Sequence, residues 1–529
     1  MTHPNILLVL IDCARSDKWL GPGRTTRTPH LDEFASRGAA FPTMIAEKSF
    51  TAPAVASLLT GQYSPRHGVH MAWGYRLRQD VPPLTGILRG MGYTTYAEAT
   101  GALLPEMGFG DCFDRFEYRA PDDSLDSAWG ARLCDRLRNG DYHQPWFLML
   151  HLFELHRPRK VDGAGAKQGE VEYDRAVYCL DRQLARLFAA ADEKTLTVVT
   201  GDHGEKTPAE VFRPGTAIPY ISRRLRLDEA EGMPLYRLAY WTGPAVMQQF
   251  YEHLTSIVRD LPSEETRSAL SFGRWVRLRD RLRLLRLVPR FRPLALFKHG
   301  TPLSRTALLQ SQGLLDMERS RRKVERFARR LGKDRLLEMQ LRLWLNSLRT
   351  NMTEGHGMHV YDYLVRVPLV VSWRGHVPPG VVIPRMVRQP DLLPTLLDLL
   401  DVPLDRPERR DGRSFKALLE GRPWSPSPAF VSVTGAPRDL EIIGVRTEEH
   451  KYTFGPANPS LPEELYDLRT DPNETVNLAG RDPERCRELR LLANGFLATG
   501  ETAASFPPDL GGAAAKAIER SLRSLGYLD

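Results

Sequence analysis

Near the start of the chain stands Ile6-Leu7-Leu8-Val9-Leu10-Ile11-Asp12, an unbroken apolar run followed by a carboxylate. An apolar run rich in branched residues predicts a strand that is buried on both faces of a parallel sheet. In such sheets ligands bind at the carboxyl ends of the strands. We therefore interpret Asp12 as a metal ligand, with a helix cap as the alternative, because an unpaired carboxylate would be costly to bury here.

Two later runs predict further strands, and each is followed by residues that can act as ligands or catalysts. The run 195–200 leads directly into Asp202 and His203, which offer one hard oxygen ligand and one imidazole to a divalent metal. A structural turn is the alternative for this pair. The run 146–151 leads to His156, which stands beside a proline that rigidifies the loop. We favour a site role for His156 over that of a core histidine.

The stretch Ser49–Gly61 predicts an elbow between a strand and a helix. Pro53 suits the first helical turn, where its missing N–H is no loss. Thr51 would then stand at a helix N-terminus, where backbone N–H groups and the macrodipole favour an anion. An ordinary helix cap is the alternative for this threonine.

Composition indicates a globular chain of enzyme size. The chain has 529 residues and no apolar run near the roughly 18 residues that cross a membrane. Its start lacks the pattern of a signal peptide, so we expect a cytoplasmic protein. Five scattered cysteines argue against a disulfide framework or a thiolate zinc site. The net charge of +8 suits an anionic substrate, nucleic acid or an acidic membrane surface.

Taken in order, these residues resemble the sulfatase family of the alkaline phosphatase superfamily. The resemblance implies an α/β fold with a mostly parallel sheet sandwiched by helices and a smaller C-terminal subdomain with an antiparallel sheet. It is carried by Asn5–Asp12, Thr28-Pro29-His30-Leu31-Asp32, Thr51-Ala52-Pro53 with Leu58–Gly61, His156-Arg157-Pro158, Asp202-His203-Gly204-Glu205, His356–Tyr361, Arg366–Val371, Asp391–Leu397 and Glu464–Leu468 with Asp471-Pro472-Asn473-Glu474.

The resemblance also implies roles for individual residues. Four positions match metal ligands, Thr51 also matches the nucleophile, and two histidines match positions that bind the substrate anion or a second metal. Three more residues, in loops or in these motifs, are assigned to substrate binding. For His67 the alternative, that it is a solvated loop residue without a role in binding, has equal weight. The metal positions are Asp12, Thr51, Asp202 and His203, the two histidines are His156 and His356, and the substrate-binding residues are Arg15, His67 and His359.

Two departures from the family pattern bear on the chemistry. Sulfatases carry Cys or Ser at the nucleophile position, followed by proline and then arginine, and the Cys or Ser is oxidised to formylglycine. In this chain Thr51 stands at the nucleophile position, and Val55 stands where the arginine would be. Threonine cannot yield that aldehyde, so formylglycine is not expected. Cys13 stands where the family commonly has a second aspartate. Fewer carboxylates and a histidine favour zinc or manganese, with calcium as the alternative.

One segment has no counterpart in the family pattern. We predict a catalytic domain over residues 1–205 and 354–425, a helical insertion that forms a lid over 206–353, and a C-terminal subdomain with its tail over 426–529. The insertion carries apolar residues at helical spacing among many arginines. This stripe could pack on the main domain, lie on anionic lipid, dock a partner or bind a polyanionic substrate. No nucleic-acid module accompanies it, so no nucleic-acid partner is expected.

The pattern as a whole predicts a metal-dependent hydrolase of a phosphate ester or diester, with a sulfate ester ranked below it, acting through a Thr51-linked intermediate. The substrate would be an anionic small molecule, glycan or lipid head group. One alternative is a transferase of phospho-substituted head groups at a membrane surface. Another is a binding module without catalytic activity.

Overall fold

The architecture was analysed in a computed structural model. It describes residues 3–207 and 356–499, apart from short stretches at 22–23, 25, 72–74, 79, 81, 158, 166–167, 170, 357–358, 434–440, 457–462 and 475. Residues 3–206 and 356–499 belong to one compact unit, and 207–355 belong to a second unit. Residues 208–353 of the predicted insertion (206–353) and the tail after residue 499 lie outside the described residues.

The described residues form strands, which are arranged in two sheets, and α-helices. The strands are β1 (Ile6–Ile11), β2 (Ala39–Ile45), β3 (Thr94–Ala99), β4 (Arg115–Tyr118), β5 (Trp146–Leu152), β6 (Leu196–Gly201), β7 (Arg366–Ser372), β8 (Val381–Val382), β9 (Val387–Arg388), β10 (Ala429–Val433), β11 (Ile442–Arg446), β12 (His450–Phe454) and β13 (Glu464–Asp467). The α-helices are α1 (Ser16–Trp19), α2 (Pro29–Ala35), α3 (Thr51–Thr60), α4 (Ser64–His67), α5 (Leu84–Gly90), α6 (Ala128–Asn139), α7 (Glu172–Ala190), α8 (Asp362–Val365), α9 (Leu392–Leu399), α10 (Lys416–Leu419) and α11 (Pro483–Thr499).

The large sheet has the order β4-β3-β5-β1-β6-β7-β2-β8, and β9 also pairs with β2. Its pairs are parallel except at β7, which runs antiparallel to both β6 and β2. The strand β1 lies near the middle, between β5 and β6. A strand with two neighbours and covered faces is buried throughout, which explains why β1 is apolar at every position.

Helices cover both faces of this sheet. Successive side chains of a strand point to opposite faces. Leu8 and Leu10 join one apolar core with α3, α5 and α9, while Leu7 and Val9 join the other with α2, α6 and α7. This two-sided packing fixes β1, and therefore Asp12 at its end, in a rigid position.

A smaller antiparallel sheet, in the order β10-β11-β12-β13, forms in the C-terminal part. Helix α11 packs on it through Cys486, Leu489 and Ala493. The predicted fold, a mostly parallel sheet sandwiched by helices with a smaller antiparallel subdomain, is confirmed. Within the described part of the chain no helix has the length and apolar character needed to cross a bilayer.

Candidate active site

Three parallel strands bring acidic and imidazole groups to one edge of the large sheet. Asp12 follows the last residue of β1, Asp202 follows the last residue of β6, and His151 lies one residue before the end of β5. In the sheet register Leu10 of β1 stands beside His151, and Ile11 stands beside the residue that precedes Asp202. The three side chains therefore converge because the strands run in the same direction and end together.

Ligand atoms of these three residues lie within reach of a single cation. The Nε2 atom of His151 is 3.6 Å from Oδ2 of Asp12 and 3.8 Å from Oδ2 of Asp202. All three side chains are fully buried. In the described part of the chain, Oδ1 of Asp12, Nε2 of His151 and Oδ2 of Asp202 have no hydrogen-bond partner. Buried polar atoms are nearly always paired, so these residues fit a bound divalent metal.

Backbone groups orient the ligands toward this centre. Oδ1 of Asp202 accepts the N–H groups of Cys13 and His203 at 3.1 and 2.6 Å, so Oδ2 faces the cluster. A carbonyl can only accept, which means that Nδ1 of His151 donates to Thr100 at 3.1 Å and Nδ1 of His203 donates to its neighbour at 2.8 Å. In both rings Nε2 is therefore the nitrogen that carries a lone pair toward the site.

Thr51 is the first residue of helix α3, which ends at Gly61 in a left-handed conformation with φ of 65°. Its hydroxyl donates to Oδ2 of Asp12 at 3.2 Å and lies 3.3 Å from Nε2 of His203. The side chain is buried among these groups. The predicted elbow thus places a hydroxyl at a helix N-terminus and against the acidic centre.

The two carboxyl groups have opposite pKa shifts. Burial and the neighbouring Asp202 raise the pKa of Asp12 to about 7. Burial would also raise the pKa of Asp202, but His203 and His151 outweigh it and hold that pKa at about 2. Two neighbouring carboxylates in a site without water cannot both stay ionised unless a positive charge lies beside them. A bound cation would supply that charge and displace the proton.

Two further predicted histidines lie beside this centre. The ring of His356 is 4.4 Å from that of His203 and 5.5 Å from that of His156. His156 donates from Nδ1 to the carbonyl of Arg157 at 2.9 Å and stacks on Phe153. Burial and His356 lower the pKa of His156 to about 3, so its imidazole is neutral at pH 7. The structure therefore brings together six predicted residues: Asp12, Thr51, His156, Asp202, His203 and His356.

Sequence reasoning missed three residues of this cluster. His151 had been included only in an apolar strand, and Cys13 and Glu205 had no assigned role. Sγ of Cys13 lies 3.7 Å from both Oε2 of Glu205 and Nδ1 of His356. Burial, Asp12 and Glu205 raise the pKa of the Cys13 thiol. Burial would raise the pKa of Glu205 as well, but His356 and Arg159 hold it at about 2.

Arg15 and His67 are used elsewhere. The guanidinium of Arg15 pairs with Asp17 through two hydrogen bonds of 3.0 and 2.8 Å and donates a third to the carbonyl of Glu205 at 3.1 Å. His67 accepts the N–H of Val69 at its Nδ1, and its Nε2 lies 3.2 Å from the hydroxyl of Ser57. Both ring nitrogens of His67 are thus engaged inside the protein. Substrate binding by these two residues stays a prediction, and their contacts favour structural roles.

His359 is not brought to the cluster by any described contact. Its Nδ1 accepts the N–H of Val360 at 2.9 Å, its Nε2 lies 3.8 Å from Oε2 of Glu464, and its ring stacks on Tyr361. Burial and Lys451 lower its pKa to about 3. Its assignment to substrate binding likewise stays a prediction that these contacts do not support.

Comparisons with known proteins show which families and proteins the chain is similar to. Residues 4–229 match the family model described as Sulfatase, and residues 357–491 match that described as N-sulphoglucosamine sulphohydrolase, C-terminal. A choline-sulfatase of Rhizobium meliloti (strain 1021) is 24% identical over 494 residues, which cover 90% of this chain and 82% of that protein.

Solved structures show the same fold. A 2-O GAG sulfatase aligns with a TM-score of 0.54 and 15% identity, over 96% of this chain and 95% of its own. The phosphonate monoester hydrolase of Agrobacterium radiobacter aligns with a TM-score of 0.52 and 17% identity, over 94% and 95%.

The match to the Sulfatase model places the chain in the alkaline phosphatase-like superfamily. Within that superfamily the chain belongs to the sulfatase family, whose two matching models together cover more than half of its length. It is thus a hydrolase of a sulfuric or phosphoric ester.

Proposed function

We propose that the chain is a metal-dependent hydrolase of a phosphate ester or diester, with Thr51 as the nucleophile. The observation that carries this proposal is the position of the Thr51 hydroxyl, 3.2 Å from Asp12 and 3.3 Å from His203. Threonine cannot form the aldehyde that sulfatases derive from Cys or Ser. The hydroxyl itself must therefore attack, as alcohols do in covalent phosphoryl transfer.

Asp12, His151 and Asp202 would hold the cation, with His203 and Thr51 at its edge. When bound, a divalent cation neutralises charge on the substrate's oxygens and favours ionisation of a nearby alcohol. Two carboxylates with imidazole nitrogens favour zinc or manganese over calcium, which prefers six to eight oxygen ligands.

The residues of the chain would carry out the transfer in two stages. The proton of Thr51 passes toward Oδ2 of Asp12, which already accepts its hydrogen bond. The oxygen of Thr51 forms a bond to phosphorus, and the bond from phosphorus to the leaving oxygen breaks. Backbone N–H groups in the first turn of α3 have no partner within the helix, and they stabilise the negative oxygens. His356 holds the transferred group or protonates the leaving oxygen.

His156 suits the second stage, in which water releases the Thr51 adduct. Because its Nδ1 donates to the carbonyl of Arg157, Nε2 would be the nitrogen that accepts a proton from that water. The water oxygen bonds to phosphorus and the bond from phosphorus to the Thr51 oxygen breaks. The Thr51 oxygen takes back the proton that passed to Oδ2 of Asp12, which restores the hydroxyl.

A sulfate ester is the competing substrate. The choline-sulfatase relative, which aligns over most of this chain, favours it. The nucleophile would be the same hydroxyl, so the two candidates differ only in the group that Thr51 receives. The transferase alternative and contact with a membrane depend on the insertion at 206–353, nearly all of which lies outside the described part, and both stay predictions.

The test is hydrolysis of nitrophenyl phosphate, phosphodiester, phosphonate and sulfate by the full chain, together with its metal content. We expect a phosphorus ester to be turned over with bound metal. Thr51→Ala should lower kcat by at least about 10³-fold, as loss of a nucleophile does, and Thr51→Ser should restore part of it. Thr60→Ala, which removes a hydroxyl from the other end of α3, is the matched control and should retain activity.

Turnover of the sulfate ester alone would replace the phosphate proposal with its competitor. Absence of both metal and turnover would favour the binding-module alternative.

A further inference from the structure

A second group of ligand-type atoms lies next to the first centre. Sγ of Cys13, Oε2 of Glu205 and Nδ1 of His356 form a triangle with sides of 3.7, 3.7 and 3.5 Å. Cys13 and Glu205 are fully buried. The ligand atom of His203 lies within 4.8 Å of those of Cys13 and His356. The group therefore combines a sulfur, a carboxylate oxygen and an imidazole nitrogen.

These separations match the ligand cage of a tetrahedral metal. With Zn–S near 2.3 Å and Zn–N or Zn–O near 2.0–2.2 Å, tetrahedral angles place ligand atoms roughly 3.3–3.7 Å apart. Hydrogen bonding explains the triangle less well, because the two sulfur contacts are long and lead to different partners. Thiolate and imidazole ligands together favour zinc over magnesium or calcium.

Backbone contacts hold two corners of the triangle in place. The N–H of Cys13 donates to Oδ1 of Asp202, and its carbonyl accepts the Tyr173 hydroxyl at 2.5 Å. Cys13 also adopts a left-handed φ of 61°, a conformation that costs energy for a residue other than glycine. Oε1 of Glu205 accepts the N–H of Lys206 at 3.0 Å, which leaves Oε2 toward Cys13 and His356.

Arg159 approaches Oε2 of Glu205 from another side, at 3.5 Å. A carboxylate oxygen has two lone pairs, so it can bind a metal and accept from a guanidinium together.

We propose that Cys13, Glu205 and His356 form a second metal centre in which the Cys13 sulfur ligates a zinc-type divalent cation. His203 lies between this centre and the one at Asp12, His151 and Asp202. The family resemblance gives Glu205 no metal role, and at the position of Cys13 it implies an aspartate of the metal shell rather than a sulfur ligand. Two metals in one site typically stand about 3.5–4 Å apart, with each able to contact one oxygen of a transferred group.

Cobalt substitution of the full chain tests this centre, because a thiolate bound to cobalt absorbs strongly in the near ultraviolet and the first centre holds no sulfur. We expect two equivalents of cobalt and this charge-transfer band. Cys13→Ser should abolish the band and lower the stoichiometry to one equivalent. Cys134→Ser, which alters another buried cysteine far along the chain, is the control and should keep both.

If Cys13→Ser does not fold, X-ray absorption of the zinc-loaded wild-type protein tests for the sulfur ligand without a variant. A sulfur scatterer at about 2.3 Å is expected. Absence of sulfur scattering, one equivalent of metal in the wild type, or a band that survives Cys13→Ser would each overturn the proposal.

Failure of this centre is distinguishable from failure of the proposed hydrolase. Asp12→Asn should remove the first equivalent and the turnover while the thiolate band remains. Ester hydrolysis that depends on Thr51, with a single metal and no sulfur ligand, would overturn the second centre and leave the hydrolase standing.

Discussion

His151 shows at the scale of one residue what a sequence does and does not reveal. Asp12, Asp202 and His203 could be predicted because they stand at the ends of runs that predict buried strands, Asp12 directly after its run and the other two after Gly201. His151 could not, because it lies inside β5 and looks like part of the strand. Only the parallel register, which places it beside Leu10, shows that its ring reaches the centre.

His67 shows the opposite error of reasoning from residue type. A histidine in a turn-rich loop suggested an anion contact, yet its side chain is fully buried against Ser57 and Val69. Burial, followed by His70, lowers its pKa well below the ordinary value. Loop residues that fold back into a core cannot be recognised without the packing that buries them.

We predict that His151→Gln weakens metal binding at the first centre. The variant removes a nitrogen that faces two carboxylates. The affinity for the metal should fall at least about 10-fold, because even the loss of a residue that only hydrogen-bonds to a metal ligand has an effect of that size. Competition with a chromogenic chelator measures it. His143→Gln, at an exposed position whose ring contacts Thr94, is the control. Equal affinity in the wild type and His151→Gln would show that this ring is not a ligand.

At the scale of elements, strand and helix positions followed closely from apolar patterning. The strand predicted over 195–200 is Leu196–Gly201, and the helix predicted to begin at Thr51 does begin there. Strand direction could not be predicted, because the apolar run of β7 gives no sign that it is antiparallel to both neighbours. Direction depends on the connection that precedes a strand, and here that connection runs through residues outside the described part.

The strand β13 carries a buried carboxylate whose pKa gives a testable pH dependence. Burial and Glu474 raise the pKa of Glu464 from 4.5 to about 7. The hydroxyl of Tyr361 lies 3.3 Å from its Oε1, and His359 faces its Oε2. Between these two pKa values the folded state binds more protons than the unfolded chain, so this group lowers stability as pH rises from 4.5 to 7.

We therefore expect Glu464→Gln to be more stable than the wild type above pH 7, by a few kcal/mol at most. The difference should shrink as pH falls toward 4.5. Urea midpoints at pH 5 and pH 8 measure it. Glu463→Gln, a half-exposed neighbour paired with Arg490, is the control. A gain that is larger at pH 5 than at pH 8 would contradict the assignment.

At the scale of the whole molecule, the family and the fold could be recognised because ordered motifs occur at many strand ends. The domain limits remain a proposal: a catalytic domain over 1–205 and 354–425, an insertion over 206–353 and a C-terminal part over 426–529. It is supported by Glu205 and His356, which flank the insertion in sequence and whose side chains lie 3.5 Å apart.

We predict that residues 208–353 can be replaced by a short Gly/Ser linker without loss of the site. The side chains of Glu205 and His356, which lie just outside this segment on either side, are already 3.5 Å apart, and short flexible connections cost little to close. The shortened chain should bind metal and hydrolyse a nitrophenyl ester, and Asp12→Asn in it should abolish both. A shortened chain that is unfolded or without metal would show that the segment belongs to the catalytic domain.

The central claim is that the oxygen of Thr51 carries the transferred group. Mass spectrometry of acid-quenched enzyme, mixed with the ester that it turns over, tests this claim, and His156→Gln should help by slowing release of the adduct. We predict a phosphoryl or sulfuryl adduct on the peptide that contains Thr51, absent from Thr51→Ala. Turnover by Thr51→Ala at the wild-type rate, or an adduct on another residue, would contradict the account.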